Sequence, residues 1–268
     1  MRIFRLFPFL IKLALVVLTA TLLVSFGTGI PIFTELKERA KRYADRKLPG
    51  PTIAQKSRAA LTARLEENDL KLGSPVFIRI FKEEAALEVW LKDGQAYRKL
   101  HSYPICKFSG FLGPKLKEGD RQAPEGFYSV TAKQLNPGSR HYKAFNLGFP
   151  NEYDRAHGRT GSALMVHGGC TSIGCYAMTD LGVAEIYRLV ERALKNGQKR
   201  VPVHVFPFRM TLANMDAKAV GPWRPYWENL KEGHDLFEAS RVPPQVGVCG
   251  KRYAFNEDMK RCKLIAGW

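Results

Sequence analysis

Acidic residues are scarce in this chain of 268 residues, where 25 Asp and Glu stand against 42 Lys and Arg and the formal net charge is +17. A basic surface of this kind attracts nucleic acid, anionic lipid headgroups or acidic substrates. No motif for nucleic-acid recognition accompanies the charge, so nucleic acid is not an expected partner. The charge favours anionic lipids or the carboxylates of a substrate, and a solvated surface is the simplest use of most of these lysines.

Repeats and paired metal ligands are also missing. No internal repeat or low-complexity tract is present, which excludes a repeat architecture. The five cysteines do not form two pairs at metal-ligand spacing, so the sequence does not predict a structural zinc site. The length and the 45% hydrophobic content are sufficient for one packed domain of moderate size with attached segments.

The N-terminus has the pattern of a membrane or export segment. Residues 1–12 are expected to stay cytoplasmic because they carry positive charge at Arg2, Arg5 and Lys12. The uncharged stretch 13–33 is long enough to cross a bilayer core of about 30 Å. Its apolar centre at 13–24 has signal-peptide length, but no Ala-x-Ala cleavage site follows. We expect a periplasmic protein anchored to the inner membrane, with a cleaved signal peptide as the alternative.

Strand and helix patterns follow in a clear order. Residues 34–74 are predicted to form a helical spacer, interrupted at Pro49-Gly50-Pro51. From residue 75 the pattern changes to that of strands, predicted at 76–81, 86–91, 95–105, 127–131, 163–166 and 201–206. One helix is predicted at 180–195, capped by Thr179 or Asp180. The sequence therefore predicts a mixed α/β, β-rich domain over 75–206 and a C-terminal extension at 207–268.

A histidine and two cysteines share a glycine-rich turn, His167-Gly-Gly-Cys-Thr-Ser-Ile-Gly-Cys175. A thiol with an ordinary pKa near ~8.5 is mostly protonated at neutral pH, so a nucleophilic cysteine needs a base or a helix N-terminus nearby. His167 is a base, and the helix predicted from residue 180 is expected to begin about one turn after Cys175. The pattern predicts an activated thiolate at Cys175, and an inert buried cysteine is the alternative.

Two segments carry a family resemblance. His167-Gly168 followed by Ser172-Ile173-Gly174-Cys175 resembles the signature of the YkuD-type L,D-transpeptidases, in which a His-Gly precedes a Ser-His-Gly-Cys loop. The segment 113–128 resembles the Pro-x-Gly-x-(Phe/Tyr) segment at which a strand starts in the same family. The resemblance covers roughly residues 75–210 and is strongest to the YafK-like branch.

The resemblance implies a β-sandwich-like catalytic fold and enzymes that act on peptidoglycan stem peptides. It implies that Cys175 is the nucleophile and His167 its base, with no metal or organic cofactor. Loop residues expected around the oxyanion are Gly168, Ser172 and Gly174, where the Ser172 hydroxyl has turn stabilisation as its alternative use. Candidates for substrate binding are Arg159 and Tyr176, which are otherwise a surface arginine and a tyrosine packed under the helix.

The chain also departs from the family pattern. Ile173 stands where many members carry a second histidine, and Ala177 stands where arginine or asparagine is usual. Because the Cys-His pair is intact, the departures concern the acyl acceptor. They favour hydrolytic release of a wall-attached peptide or lipoprotein. A true L,D-transpeptidase is the alternative, and a non-catalytic, membrane-anchored peptidoglycan-binding module is the alternative from another class.

The five cysteines need assignment in an oxidising compartment. Cys249 and Cys262 lie close in sequence and are expected to form a disulfide. Cys175 is expected to be free. Cys106 and Cys170 either pair or remain buried thiols, and Cys170 is the rival candidate for the nucleophile.

Overall fold

The structure is a computed structural model that describes residues 34–39, 51–256 and 262–266. The predicted membrane or signal segment at 13–33 lies outside these residues. Within the described part of the chain, no helix is long and apolar enough to cross a bilayer. Residues 34–39 are helical and belong to a unit that is separate from residues 52–268.

A large mixed sheet forms the centre of the second unit. In the described residues its strands are β1 Val76–Phe81, β2 Ala86–Asp93, β3 Ala96–Phe108, β4 Gly126–Val130, β5 Leu135–Asn136, β6 Ala144–Asn146, β7 Met165–His167, β8 Tyr176–Met178 and β9 Val201–Phe206. Their order across the sheet is β4-β9-β1-β2-β3-β8-β7-β6-β5. The β1–β9 and β7–β8 pairs are parallel. The predicted mixed α/β, β-rich fold is confirmed.

Helices cover the sheet, and a second small sheet follows them. The helices are α1 Ile53–Glu67, α2 Glu152–Ala156, α3 Asp180–Lys195, α4 Leu212–Ala217 and α5 Arg224–Ser240. The small sheet consists of β10 Val246–Cys249, β11 Arg252–Phe255 and β12 Lys263–Ala266, in the order β11-β10-β12. Helix α3 has the predicted bounds because the Thr179 side chain accepts a hydrogen bond from the Gly182 N–H at its start.

Two hydrophobic clusters hold these layers together. The first packs α1 and α3 on the main sheet and includes Leu61, Ile78, Val89, Ile186 and Val203. The second joins the C-terminal extension to the end of β1 and β9 and includes Phe81, Phe206, Trp227, Leu230 and Tyr253. The extension therefore completes the core of the catalytic unit. Its helix α5 was not predicted from the sequence, which indicated only an extension over 207–268.

A buried ion pair organises the long connection between β3 and β4, residues 109–125, which we call the β3–β4 loop. The Lys82 ammonium is fully buried and donates to Glu125 Oε1 at 3.0 Å and to the backbone carbonyls of Phe111, Gly113 and Ala123. Glu125 also accepts the Gly113 N–H at 2.6 Å and the Trp227 indole N–H at 3.0 Å. Because both charges are hydrogen-bonded, the pair holds the β3–β4 loop between the sheet and α5.

The buried Lys82–Glu125 ion pair predicts that Lys82→Met lowers the stability of the protein much more than Arg98→Met does. Lys82→Met leaves the Glu125 carboxylate buried without its cation and should lower the free energy of unfolding by about 3–5 kcal/mol. Arg98→Met removes a half-exposed partner of Asp93 and should cost at most about 1 kcal/mol. Urea unfolding of both variants measures the difference. Equal, small changes would contradict an organising role of Lys82.

Candidate active site

The parallel pairing of β7 and β8 brings the histidine and the cysteine of the motif to the same pair of short strands. His167 ends β7 and lies opposite Ala177 of β8. Cys175 immediately precedes β8, and its Sγ lies 3.4 Å from the backbone nitrogen of Met165, the first residue of β7. His167 is the last residue of β7, so both groups belong to this short strand pair. Ala177, which is paired with His167, is buried.

The connection from β7 to β8, residues 168–175, is called the β7–β8 loop here. It is short for a link between parallel strands, and three of its residues have left-handed backbone: Gly169 (φ +82), Cys170 (φ +50) and Gly174 (φ +110). A Cβ atom at Gly168 would lie 2.5 Å from Asp180 Oδ1, so that position requires glycine. The same Asp180 oxygen accepts the Gly169 N–H at 2.8 Å and fixes the start of the loop.

His167 is held in the tautomer that a general base needs. Its Nδ1 lies 2.6 Å from the Gly168 carbonyl oxygen. A carbonyl can only accept, so Nδ1 carries the proton and Nε2 keeps its lone pair. Burial lowers the pKa of His167, the hydrogen bond to Gly168 raises it, and the nearby His141 lowers it further. The net direction is downward, so the imidazole is neutral at neutral pH.

Burial favours the protonated form of the Cys175 thiol. Its Sγ accepts the Met165 N–H at 3.4 Å and donates toward the Ala163 carbonyl at 3.7 Å. Burial raises the pKa of Cys175, and the Met165 hydrogen bond and the charge of Lys115 only partly oppose this. These surroundings disfavour the predicted thiolate in the resting site.

The predicted help from a helix N-terminus was wrong. Strand β8 lies between Cys175 and α3, and the four extended residues 176–179 separate Cys175 from the helix start by roughly 13 Å. A helix terminus acts only within its first turn, so the dipole of α3 does not reach Sγ. We therefore expect His167, acting as a general base, to activate the thiol.

The remaining loop residues stabilise the turn. The Ser172 hydroxyl donates to the Cys175 carbonyl at 2.7 Å, so the Ser109 hydroxyl, 3.0 Å away, donates to Ser172. This arrangement matches the turn-stabilising alternative. Gly174 lies against the β3–β4 loop, since a Cβ there would be 3.8 Å from the Gln122 carbonyl. A role of Gly168, Ser172 and Gly174 around the oxyanion stays a prediction.

The side chains of Arg159 and Tyr176 are buried and already make polar contacts within the protein. The Arg159 guanidinium forms an ion pair with Asp154 at 2.9 Å and lies 5.0 Å from the ring centroids of Tyr153 and Tyr226. The Tyr176 ring is fully buried, and its hydroxyl donates to the Pro124 carbonyl at 2.7 Å. Both make contacts that support the fold, and their predicted part in substrate binding stays a prediction.

Two residues near the motif had no signal in the sequence. His141 precedes β6, and its ring centroid lies 4.7 Å from that of His167. The strand pairing of Ala144 with His167 brings the two imidazoles together. Lys115 is buried in the β3–β4 loop, where its ammonium lies 2.5 Å from Asp120 Oδ1. His141 belongs to no motif and Lys115 is not one of the fixed positions of the segment 113–128, so the tertiary fold identifies them.

The cysteines divide into two disulfides and one thiol. All five lie in the described residues, with Cys106 bonded to Cys170 and Cys249 bonded to Cys262. Cys175 is free, and Cys170 is therefore not available as the nucleophile. Among the described residues no group of three or more His, Cys, Asp or Glu side chains could hold a metal ion. The groups available for chemistry are the Cys175 thiol and the His167 imidazole.

Comparisons with solved structures gave distant matches. The helical cell shape determining protein Pgp2 from Campylobacter jejuni is 17% identical with a TM-score of 0.41, over 80% of this chain and 99% of that chain. Bd1075 from Bdellovibrio bacteriovorus is 17% identical with a TM-score of 0.37, over 72% of this chain and 91% of that chain.

Sequence comparisons gave much nearer relatives. Residues 75–205 match the family model of the YkuD-type L,D-transpeptidase catalytic domain. YafK of Escherichia coli (strain K12), provisionally described as an L,D-transpeptidase, is 54% identical over 188 residues, which span 70% of this chain and 76% of that protein. Its counterpart in Escherichia coli O157:H7 gives the same values. The chain therefore belongs to the L,D-transpeptidase family with a YkuD-type catalytic domain.

Proposed function

We propose that this protein is a cysteine acyl-transfer enzyme that cleaves peptidoglycan stem peptides and releases a wall-attached peptide or lipoprotein by hydrolysis. The observation that carries the proposal is the placement of a free Cys175 thiol and a neutral, Nδ1-protonated His167 on the same short β7–β8 strand pair. Family membership supports the substrate class. The choice of acceptor rests on this chain's own residues.

The first half of the reaction forms a thioester. Nε2 of His167 takes the thiol proton while Cys175 Sγ attacks the amide carbonyl on the L-centre of the third-position diamino acid. Backbone N–H groups of the β7–β8 loop stabilise the oxyanion. The C–N bond then breaks, the imidazolium returns the proton to the leaving amine, and an acyl-Cys175 thioester remains. Because Cys175 and His167 start as neutral groups, the thiolate and imidazolium charges exist only while the substrate is present.

The second half depends on which nucleophile reaches the thioester. Ile173 is 81% exposed two residues before Cys175, and it offers no hydrogen bond to an incoming amine. A poorly oriented amine loses the proximity advantage, which can amount to several kcal/mol. Water then competes successfully because His167 can accept its proton. Hydrolysis is favoured for this reason over transfer to a diamino acid or to a lipoprotein lysine.

The two disulfides support a location outside the cytoplasm. Disulfides persist in oxidising compartments such as the bacterial periplasm, and four of the five cysteines are paired. We propose a periplasmic enzyme held at the inner membrane by residues 13–33, with cleavage of that segment as the alternative. The net positive charge suits both anionic lipid headgroups and the carboxylates of stem peptides.

The acceptor can be tested with purified wall sacculi. The protein should release free peptide or lipoprotein faster than it forms new cross-links between diamino acids, and Cys175→Ala should do neither. Ile173→His replaces an exposed side chain with an imidazole that can orient an amine, so cross-links should rise relative to release. Analysis of muropeptides by mass spectrometry measures both products. New cross-links without released peptide from the unaltered protein would identify a true transpeptidase, and no Cys175-dependent product would favour a binding module.

The neutral resting pair predicts the pH dependence of thiol alkylation. Since burial raises the pKa of Cys175, iodoacetamide labelling should increase only on the alkaline side, above the range of an ordinary thiol. His167→Gln should keep this profile and reduce acyl transfer on the order of 10²-fold, because a general base is lost. Labelling followed by mass spectrometry across pH gives the curve. A plateau of reactivity at acidic pH would reveal a thiolate–imidazolium pair instead.

His141 should affect the acidic limb of the pH–rate profile. This limb reports loss of the proton from His167. Because the pKa of His167 is lowered, the limb should lie below the ordinary value near ~6.5. His141→Phe keeps a ring beside His167 and removes a group that lowers its pKa, so the limb should move to higher pH. His157→Phe, which changes a histidine stacked on Tyr153, is the matched control. A limb that moves equally in both variants, or in neither, would contradict this role of His141.

A further inference from the structure

A disulfide fastens the β7–β8 loop between the base and the nucleophile. Cys170 is bonded to Cys106 of β3, with 5.1 Å between the Cα atoms. The Cys170 N–H also donates to the Met178 carbonyl of β8 at 3.3 Å. Cys170 therefore ties the middle of the loop to two strands of the main sheet.

The sheet is locally adapted to make this bond. β3 and β8 pair at Ile105 with Met178 and at Lys107 with Ala177, so two residues of β3 correspond to one of β8. Cys106 is the extra residue of this β-bulge. A bulge bends its strand and re-aims the side chain of the extra residue, and here the side chain joins the loop. Ala177, opposite the bulge, is also the residue that pairs with His167.

The loop has little else to fix its centre. Cys170 holds a left-handed φ of +50°, which is unfavourable for any residue with a Cβ atom. Gly169, Cys170, Thr171 and Ile173 are exposed, so no hydrophobic packing orders this stretch. The other ties of the loop to its surroundings are hydrogen bonds from Gly169 N–H to Asp180, from Cys170 N–H to the Met178 carbonyl and from Ser109 to Ser172. The Cys106–Cys170 disulfide is the covalent tie among them.

We propose that the Cys106–Cys170 disulfide is a positioning element of the active site. It holds the loop so that the Gly168 carbonyl keeps His167 in the reactive tautomer at one end and Cys175 faces Nε2 at the other. The inference rests on the proposed function of Cys175 and His167. Because Cys106 and Cys170 are both exposed, a dithiol in solution can reach the bond. The arrangement thus makes the activity dependent on an oxidising environment.

The test compares removal of this disulfide with removal of the remote one. Cys106→Ser with Cys170→Ser should lower kcat by between about 10-fold and 100-fold with a smaller change in KM, as expected for a displaced catalytic group. Cys249→Ser with Cys262→Ser is the matched control and should keep kcat within about 2-fold at a temperature where both variants are folded by circular dichroism. Equal losses in the two variants, or no loss in the first, would overturn the proposal.

Reduction of the unaltered protein gives a second test. Dithiothreitol converts the disulfide into two thiols and is itself oxidised to its cyclic disulfide, and intact mass follows the gain of two hydrogens per bond. Reduction should lower the kcat of the unaltered protein and of the Cys249/Cys262 control by the same factor, and leave the Cys106/Cys170 variant unchanged. A fully reduced protein with full activity would contradict the role in positioning.

A readout without substrate separates this proposal from the proposed function. Iodoacetamide labelling of Cys175 depends on the surroundings of the thiol and not on peptidoglycan chemistry. Loss of the disulfide should change the labelling rate and its pH midpoint, whereas loss of Cys249–Cys262 should not. An enzyme that fails to act on sacculi but shows this change would retain the positioning role and lose the proposed reaction. An unchanged labelling curve in an enzyme that acts on sacculi would support the proposed reaction and contradict the positioning role.

Discussion

The chemistry of this protein depends on a parallel strand pair joined by a very short link. Parallel neighbours usually need a crossover of a dozen or more residues, most often a helix. Here the chain returns from the end of β7 to the start of β8 within residues 168–175. Such a return is possible because Gly169, Cys170 and Gly174 adopt left-handed backbone, and because β7 and β8 are themselves short. The same constraint puts a base at the end of one strand and a thiol just before the next.

Burial decides the protonation state of that pair. It lowers the pKa of His167 and raises the pKa of Cys175, so both groups are neutral when the site is empty. A neutral thiol is a weak nucleophile, and it is also less prone to oxidation than a thiolate. Lys115, whose charge opposes the rise in the pKa of Cys175, limits how far the neutral form is favoured.

Local patterns predicted the frame of the fold well. The bounds of β1, β9 and α3 agree with the sequence because each has a clear period and a definite start, such as the Thr179 cap. The motif predicts His167 and Cys175 as base and nucleophile, and these roles stay a prediction. Strand β8, by contrast, has only three residues and no period of its own, so it was not predicted. Without this strand, the N-terminus of α3 was expected to lie close enough to act on Cys175.

Features that depend on distant strands could not be predicted. The β-bulge at Cys106 is a property of the register between β3 and β8, which no single segment encodes, and the pairing with Cys170 follows from it. His141 reaches His167 only through the β6–β7 register. Arg159 stands in a polar, glycine-rich context that indicates a surface residue. It is buried because α2 supplies Asp154 and Tyr153 and helix α5 of the C-terminal extension supplies Tyr226.

The two loops on either side of Cys175 are held by specific contacts, whereas some of their side chains project to solvent. The Lys82–Glu125 pair holds the β3–β4 loop, Ser109 ties that loop to Ser172, and Cys106 ties β3 to Cys170. Ile173 of the β7–β8 loop and Phe111 of the β3–β4 loop are 81% and 86% exposed. Because an exposed side chain away from such contacts can usually be replaced at little cost in stability, these two positions can change while the ties that shape the loops remain.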